Sequence, residues 1–165
     1  MTLRPPTLAA MSTSSDTTAV TNLIARYAEL VDTGDFAGVG TLFADAVFIG
    51  GGGSLEGSAA VERMLRATVI VYEDGTPRTQ HVTTNIAVEF DGDAATARSY
   101  ITVFQALPDF PLQPIAAGRY HDRFEKHAGT WRFVERRVHI HLTGDLSHHL
   151  RGRPLDAVPE DAARD

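Results

Sequence analysis

The chain has 165 residues, of which 43% are hydrophobic and 22% are charged, and its formal net charge is −6. This length and composition predict one globular domain, and the acidic balance gives no basic footprint for nucleic acid or for an anionic membrane surface. The chain has no cysteine, which excludes disulfides, thiolate catalysis and cysteine-ligated metal sites.

The two ends of the chain differ in composition from its centre. Residues 1–15 are rich in Thr, Ser, Pro and Ala, and from this composition we expect a disordered N-terminal arm. They also lack the apolar stretch of a secretory signal. We place a single domain over residues 16–146 and a flexible polar tail over residues 147–165. No apolar run approaches the length of a membrane span. We therefore expect a cytoplasmic protein that binds neither nucleic acid nor membranes.

The first half of the chain predicts three helices and one short strand. Apolar residues recur at three- and four-residue spacing over Thr17–Asp32, which is typical of an amphipathic helix, and Thr33-Gly34 ends it. A short helix over Asp35–Phe43 and a brief strand over Ala46–Ile49 follow. The four glycines at 50–53 lack the lysine of a phosphate-binding loop and predict only a loop. A third helix is expected over Ser58–Tyr72, with Ser58 as its N-cap.

The second half of the chain predicts an antiparallel sheet. From Arg78 the hydrophobic period changes from 3.6 to 2, and four strands are expected over residues 79–90, 95–107, 115–126 and 130–142. Residues 91–93 and 127–129 are typical of tight hairpins, and the proline-rich residues 108–114 predict a longer loop. The layout is α+β: one curved sheet wrapped on helices, with a concave face that can hold a small apolar molecule.

Asp32 is a carboxylate in a position where an apolar residue is expected. It continues the inward stripe of the first helix, eight residues after Ile24, and it lies in the last turn, where the helix dipole disfavours negative charge. A charge placed in this way needs a partner, and we propose His81. Strict alternation would put His81 on the face opposite Ile86, so the pairing requires a β-bulge between them, which we place at Thr83-Thr84. In the alternative interpretation, Asp32 caps the second helix and His81 is an ordinary half-buried histidine.

An ordered series of motifs resembles the nuclear transport factor 2-like superfamily, and within it the SnoaL-like and scytalone dehydratase-like branch. The series is Arg26-Tyr27-Ala28, Asp32-Thr33-Gly34-Asp35-Phe36, Leu42-Phe43-Ala44-Asp45-Ala46, Gly57, Thr79-Gln80-His81 with Asn85, Asp91-Gly92-Asp93-Ala94, Gly118-Arg119-Tyr120 with Asp122, and Gly129-Thr130-Trp131-Arg132-Phe133. The resemblance implies a cone-shaped fold with a mixed or antiparallel sheet, a deep apolar pocket, and an aspartate at position 32 that orients a histidine base at position 81. It also implies a homodimer through the outer face of the sheet.

The sequence departs from the scytalone dehydratase pattern at three places. That enzyme would carry a tyrosine where Val31 stands, another near Gly50–Gly51, and a second histidine around Val103–Phe104. None of these is present.

Several further residues are candidates for the pocket or for a metal. Asn85 could bind a ligand carbonyl or tie its strand to a loop, and Arg136, on an otherwise apolar strand face, needs a buried partner such as Asp122 or a substrate anion. Two histidines at i and i+2, His139 and His141, could ligate a metal, but no carboxylate matches them and we predict no metal site; His148 and His149 are expected to be solvated. The predicted pocket residues are Tyr27, Val31, Phe48, Met64, Leu65, Asn85, Phe104, Tyr120 and Arg136, with Tyr100 as a further aromatic candidate.

These observations favour a cofactor-independent enzyme. His81, held by Asp32, would take a proton from an apolar, cyclic metabolite of polyketide, steroid or aromatic type, and so promote elimination (dehydration or a similar reaction) or isomerisation. The alternative is a non-catalytic module of the same fold that binds a small ligand or dimerises.

Overall fold

The protein is described by a computed structural model over residues 8–152, with side chains described from Ser14 onward. The elements follow in the order α1 (Leu8–Asp32), α2 (Phe36–Leu42), β1 (Val47–Gly50), β2 (Gly53–Glu56), α3 (Ser58–Thr68), β3 (Thr79–Asp91), β4 (Ala94–Leu107), β5 (Phe110–His127) and β6 (Thr130–Thr143). No helix in this part of the chain is both long and apolar enough to cross a membrane.

The six strands form one curved mixed sheet in the order β2-β1-β6-β5-β4-β3. β1 runs parallel to β6, and every other neighbouring pair is antiparallel. The apolar stripe of α1 is buried together with the inner face of the sheet, where Ile24 and Tyr27 share the core with Ile101 and Tyr120. The predicted α+β fold is confirmed, and its inner face carries the site.

The tight turns of the sheet follow from local backbone preferences. Ala128 and Gly129, between β5 and β6, both have positive φ (50° and 82°), as a two-residue hairpin that matches the strand twist requires. The predicted loop over residues 108–114 is wrong, because Leu107 pairs directly with Phe110. Register shifts in the β4–β5 pair lie beside the prolines, which is where a sheet tolerates them.

The first helix begins earlier than predicted. α1 starts at Leu8, inside the stretch expected to be an arm, while residues 1–7 lie outside the described residues. A carboxylate oxygen of Asp16 accepts hydrogen bonds from Lys126 Nζ at 2.8 Å and from Trp131 Nε1 at 2.9 Å. These contacts hold the N-terminal half of the helix against the β5–β6 hairpin, and the sequence period alone does not reveal them.

The region after the third helix also differs from the prediction. α3 ends at Thr68 rather than Tyr72, and Val69 is extended and forms an isolated bridge with Leu150. The run Thr68-Val69-Ile70-Val71 is β-branched, which favours this extended course. The predicted flexible tail is therefore wrong for residues 147–150, which pack against the domain, whereas residues 153–165 lie outside the described part. β2 (Gly53–Glu56), within the predicted glycine loop and the residues after it, was not expected.

Candidate active site

Asp32 and His81 meet as the sequence predicted. His81 Nδ1 lies 2.6 Å from Asp32 Oδ1, and the two side chains are 8% and 19% exposed. The backbone N–H of His81 donates to Asp32 Oδ2 at 2.7 Å, and Thr79 Oγ1 donates to Oδ1 at 2.8 Å. Because Nδ1–H donates a hydrogen bond to the carboxylate, Nε2 is the nitrogen that can accept a proton from a bound molecule.

The end of α1 is shaped so that Asp32 faces β3. Gly34 has φ +74°, and a Cβ at this position would lie 2.2 Å from the carbonyl oxygen of Gly75, so only glycine lets the chain turn here against the loop before β3. The next helix is capped by Asp35, whose side chain accepts from Gly38 N at 2.8 Å. The alternative in which Asp32 caps that helix is therefore wrong.

A β-bulge in β3 brings His81 to the inner face. The register against β4 shifts between Thr84 and Ala87, and Asn85 has φ 53°, a left-handed conformation that asparagine tolerates better than most residues. The predicted bulge is confirmed, one to two residues beyond the predicted place. It allows His81 and Val88 to face inward on the same strand.

A cavity of about 180 Å³ lies beside the dyad. An apolar cavity of roughly 150 Å³ is large enough for benzene, so this one has room for a single substituted ring. Most of its wall is apolar, and His81 contributes the edge that faces Asp32. Its lining residues are Tyr27, Val31, Phe48, Gly50, Gly51, Met64, Leu65, Thr68, Val69, His81, Ile101, Val103, Ala116, Tyr120, Val138, Ile140, Thr143, Leu146, His149 and Leu150.

Six of the predicted pocket residues line this cavity: Tyr27, Val31, Phe48, Met64, Leu65 and Tyr120. Burial raises the pKa of the Tyr27 hydroxyl, and burial with the neighbouring Tyr27 raises that of Tyr120 well above its ordinary value. Both hydroxyls are therefore neutral at physiological pH.

Four predicted pocket candidates do not line the cavity, and the first three are Asn85, Phe104 and Tyr100. Asn85 is exposed at the bulge and does not line the cavity. Phe104 lies on the outer face of β4, because Val103 and Gln105 occupy the inner positions on either side of it. Tyr100, on the same outer face, is 46% exposed and stacks with Arg119.

Arg136 lies behind the cavity wall instead of in it. Its Nε and Nη2 donate to the two carboxylate oxygens of Asp122 at 2.8 and 2.7 Å, and both side chains are fully buried. The guanidinium lies 4.3 Å from the ring centre of Tyr27 and 4.0 Å from that of Tyr120. The predicted ion pair with Asp122 is confirmed, and its effect is to fix two tyrosine rings that form the wall.

His149 is a cavity residue that the sequence reading missed. It is 9% exposed, and burial, with a smaller contribution from His81, lowers its pKa to about 4. The prediction that it is solvated is wrong, because the segment after β6 folds back over the cavity. The sequence does contain one sign of this burial: the apolar residues Leu146 and Leu150, four positions apart, flank His149.

The predicted metal candidates lie on the opposite side of the sheet. Val138 and Ile140 line the cavity, so His139 between them points to the outer face. The rings of His139 and His141 are 6.4 Å apart. Within residues 8–152, no group of three or more His, Cys, Asp or Glu side chains could hold a metal ion.

Solved structures with a similar fold include proteins of known and unknown function. A protein of unknown function from Mycobacterium tuberculosis, Rv3472, is 28% identical, with a TM-score of 0.67 over 79% of this chain and 74% of that chain. A putative scytalone dehydratase from Novosphingobium aromaticivorans is 21% identical, with a TM-score of 0.68 over 92% and 97%. A hexachlorocyclohexane dehydrochlorinase from Novosphingobium barchaimii is 18% identical, with a TM-score of 0.65 over 81% and 92%.

The family of the chain follows from its sequence match. No curated protein matches the chain, but the model of the SnoaL-like domain matches residues 12–137, which include Asp32, His81 and most of the cavity wall. The ordered motifs, the cone of helices and sheet, and this match agree. The chain belongs to the SnoaL-like domain family.

Proposed function

We propose that the protein is a cofactor-independent enzyme in which the Asp32–His81 pair acts as a general base on a small apolar cyclic molecule. The observation that carries the proposal is the 2.6 Å contact of His81 Nδ1 with Asp32 Oδ1 at the edge of an apolar cavity. The carboxylate fixes the tautomer and stabilises the imidazolium that forms when Nε2 takes a proton.

The environment of the pair suits proton transfer. Asp32 accepts three hydrogen bonds from Thr79 and His81, so the imidazole is held in one orientation. The apolar wall keeps water away from the reacting atoms and strengthens the attraction between carboxylate and imidazolium. Such a base contributes about 10²–10⁴-fold to a rate.

The reaction class we propose is elimination or isomerisation. A proton taken from a ring carbon leaves an electron pair that either expels a leaving group from the next carbon or is protonated again at another carbon. Two proteins of the same fold are named as a putative dehydratase and a dehydrochlorinase, and both names denote eliminations. The size of the cavity supports a substrate with one substituted ring.

Model ketones with one six-membered ring test this proposal. With 3-hydroxycyclohexanone, loss of water gives the conjugated enone; with cyclohex-3-enone, migration of the double bond gives the same product, and its absorbance reports both reactions. In D2O, exchange of the ring protons next to the carbonyl reports proton abstraction alone. We expect Asp32→Asn and His81→Gln to remain folded and to lower these rates by about 10²–10⁴-fold.

His127→Gln is the matched control, since His127 is an exposed histidine in the β5–β6 hairpin, and it should leave the rates unchanged. Unchanged turnover in Asp32→Asn would remove the mechanism. If the wild-type protein binds the ketones but exchanges no proton, the competing function, a ligand-binding module, is the correct one.

A further inference from the structure

His149 places a second imidazole in the wall of the cavity, and the mechanism above does not use it. Its Nδ1 is buried and has no hydrogen-bond partner among the described residues. An unpaired buried polar atom is unfavourable and calls for an explanation, and a bound molecule that contacts the imidazole in the cavity wall can supply one. The residue is 9% exposed, so bulk water does not replace that partner.

The segment that carries His149 is firmly attached to the domain. The carbonyl oxygen of His148 accepts hydrogen bonds from Tyr72 Oη at 2.6 Å and from the buried Gln105 Nε2 at 3.0 Å. The carbonyl oxygen of His149 accepts from Ile70 N at 2.8 Å. These contacts tie the backbone of residues 148–149 to the strand and loop around the cavity, so the backbone that carries the imidazole is held in place before any ligand arrives.

The imidazole of His149 is neutral at physiological pH, because burial and the nearby His81 lower its pKa to about 4. A neutral imidazole offers one N–H donor and one acceptor nitrogen, and it can polarise a carbonyl without carrying a charge. Among the other polar residues of the wall, Thr68 already donates its hydroxyl to the backbone oxygen of Met64 at 2.8 Å. Tyr27, Tyr120 and Thr143 also bring hydroxyls to the wall, but among the described wall residues His149 is the one with a buried side-chain polar atom that has no hydrogen-bond partner, and this makes it the candidate for a ligand oxygen.

We propose that His149 binds an oxygen atom of the substrate, a carbonyl or hydroxyl on its ring, while His81 faces the carbon that loses its proton. The inference rests on the proposed function above. With a ketone, the C–H proton passes to His81 Nε2, the C–H electron pair becomes the new C=C bond, and the carbonyl π pair moves to the oxygen, where the imidazole N–H of His149 donates to it. His149 thus determines which ring compounds the apolar cavity accepts.

A pair of probes that differ in one group tests this role without turnover. 4-Methylphenol and 1,4-dimethylbenzene have the same shape, but only the first carries an oxygen. We expect His149→Leu to lower the affinity ratio of 4-methylphenol to 1,4-dimethylbenzene about fivefold, as for loss of one neutral hydrogen bond. The ratio cancels changes in cavity shape that affect both probes, and titrations followed by NMR give both affinities.

The neighbouring histidine provides a matched control. His148 is exposed and does not line the cavity, so His148→Leu should keep the wild-type ratio, and His149→Asn, which retains an amide N–H near the Nδ1 position, should restore part of it. In the wild-type protein, 4-methylphenol should shift the ring nitrogen signals of His149 and 1,4-dimethylbenzene should not. This readout does not depend on any variant folding.

The outcomes separate this inference from the proposed function. An unchanged ratio in His149→Leu, a wild-type protein that binds neither probe, or His149 nitrogen signals that ignore 4-methylphenol would each overturn it, even if Asp32→Asn abolishes turnover. If the ratio falls as expected while no ketone reacts, the oxygen site is upheld and the proposed chemistry is wrong.

Discussion

The carboxylate of Asp32 accepts three hydrogen bonds from the first residues of β3. One comes from a hydroxyl, one from a backbone amide and one from an imidazole. They offset the unfavourable position of a negative charge in the last turn of a helix. The same contacts join α1 to β3, so the residue that orients the proposed base also closes the fold around it.

A pH dependence of stability follows from His149. Its pKa is lowered from 6.5 to about 4 in the folded protein by burial and by His81, against a smaller opposing effect of Asp32. Between these values the unfolded chain binds a proton that the folded chain does not, so the free energy of unfolding falls as the pH drops from about 6.5 to 4. The loss is about 1.4 kcal/mol per pH unit and about 3 kcal/mol in total.

Urea denaturation at pH 7 and pH 4.5 measures this effect. In His149→Leu the free energy of unfolding should fall much less between pH 7 and pH 4.5 than in the wild-type protein. In His148→Leu it should fall as in the wild-type protein. Equal pH dependence in the two variants would contradict the assignment of a neutral, buried His149.

At the scale of the element, the bulge in β3 decides which side chains face the inside of the fold. Before it, His81 faces inward; after it, Val88 and Phe90 do. Asn85 holds the left-handed conformation of the bulge, with φ 53°. Insertion or deletion of one residue in this strand would turn the side chains of one half of the strand to the wrong face of the sheet.

Substitution of Asn85 tests this role. Asn85→Gly should be nearly neutral, since glycine adopts positive φ freely. Asn85→Val should lower the free energy of unfolding by about 1–2 kcal/mol, because a β-branched residue is strained there. Chemical denaturation of the two variants provides the comparison, and equal stabilities would show that the bulge places no demand on this residue.

The sequence predicted the dyad because Asp32 interrupts the apolar stripe of its helix and needs a partner, and the family resemblance supported His81 as that partner although strict strand alternation opposed the pairing. It was not sufficient for Phe104, since alternation separates two faces of a strand without saying which is inward, and the smaller Val103 was the inner residue. It also missed His149, whose burial depends on contacts such as Tyr72 with His148, 76 residues apart. The apolar pair Leu146 and Leu150 is a local sign of burial, but a local pattern does not identify the distant residues that this segment contacts.

At the scale of the whole molecule, the outer face of the sheet is uncovered in the single chain. Leu142 is 69% exposed and Tyr100 is 46% exposed there, and large apolar side chains in such positions are typical of association surfaces. We propose that two copies of the chain pair through this face.

Size-exclusion chromatography with light scattering tests whether two copies pair. We expect a mass near twice the chain mass of 17.9 kDa, and Leu142→Glu should shift it toward one copy, because a charge would be buried in the contact. Leu112→Glu, at a residue that is 71% exposed near the start of β5, is the control and should leave the mass unchanged. A wild-type mass of one chain would dismiss the dimer.

Trp131 is the only tryptophan of the chain, and it donates to Asp16 where the N-terminal half of α1 meets the β5–β6 hairpin. Along β6 it lies seven residues from Val138, a distance of about 23 Å. Intrinsic fluorescence therefore observes the end of the molecule remote from the cavity. Signals from His81 and His149 observe the other end, so the molecule carries two natural reporters that can reveal whether both ends melt together.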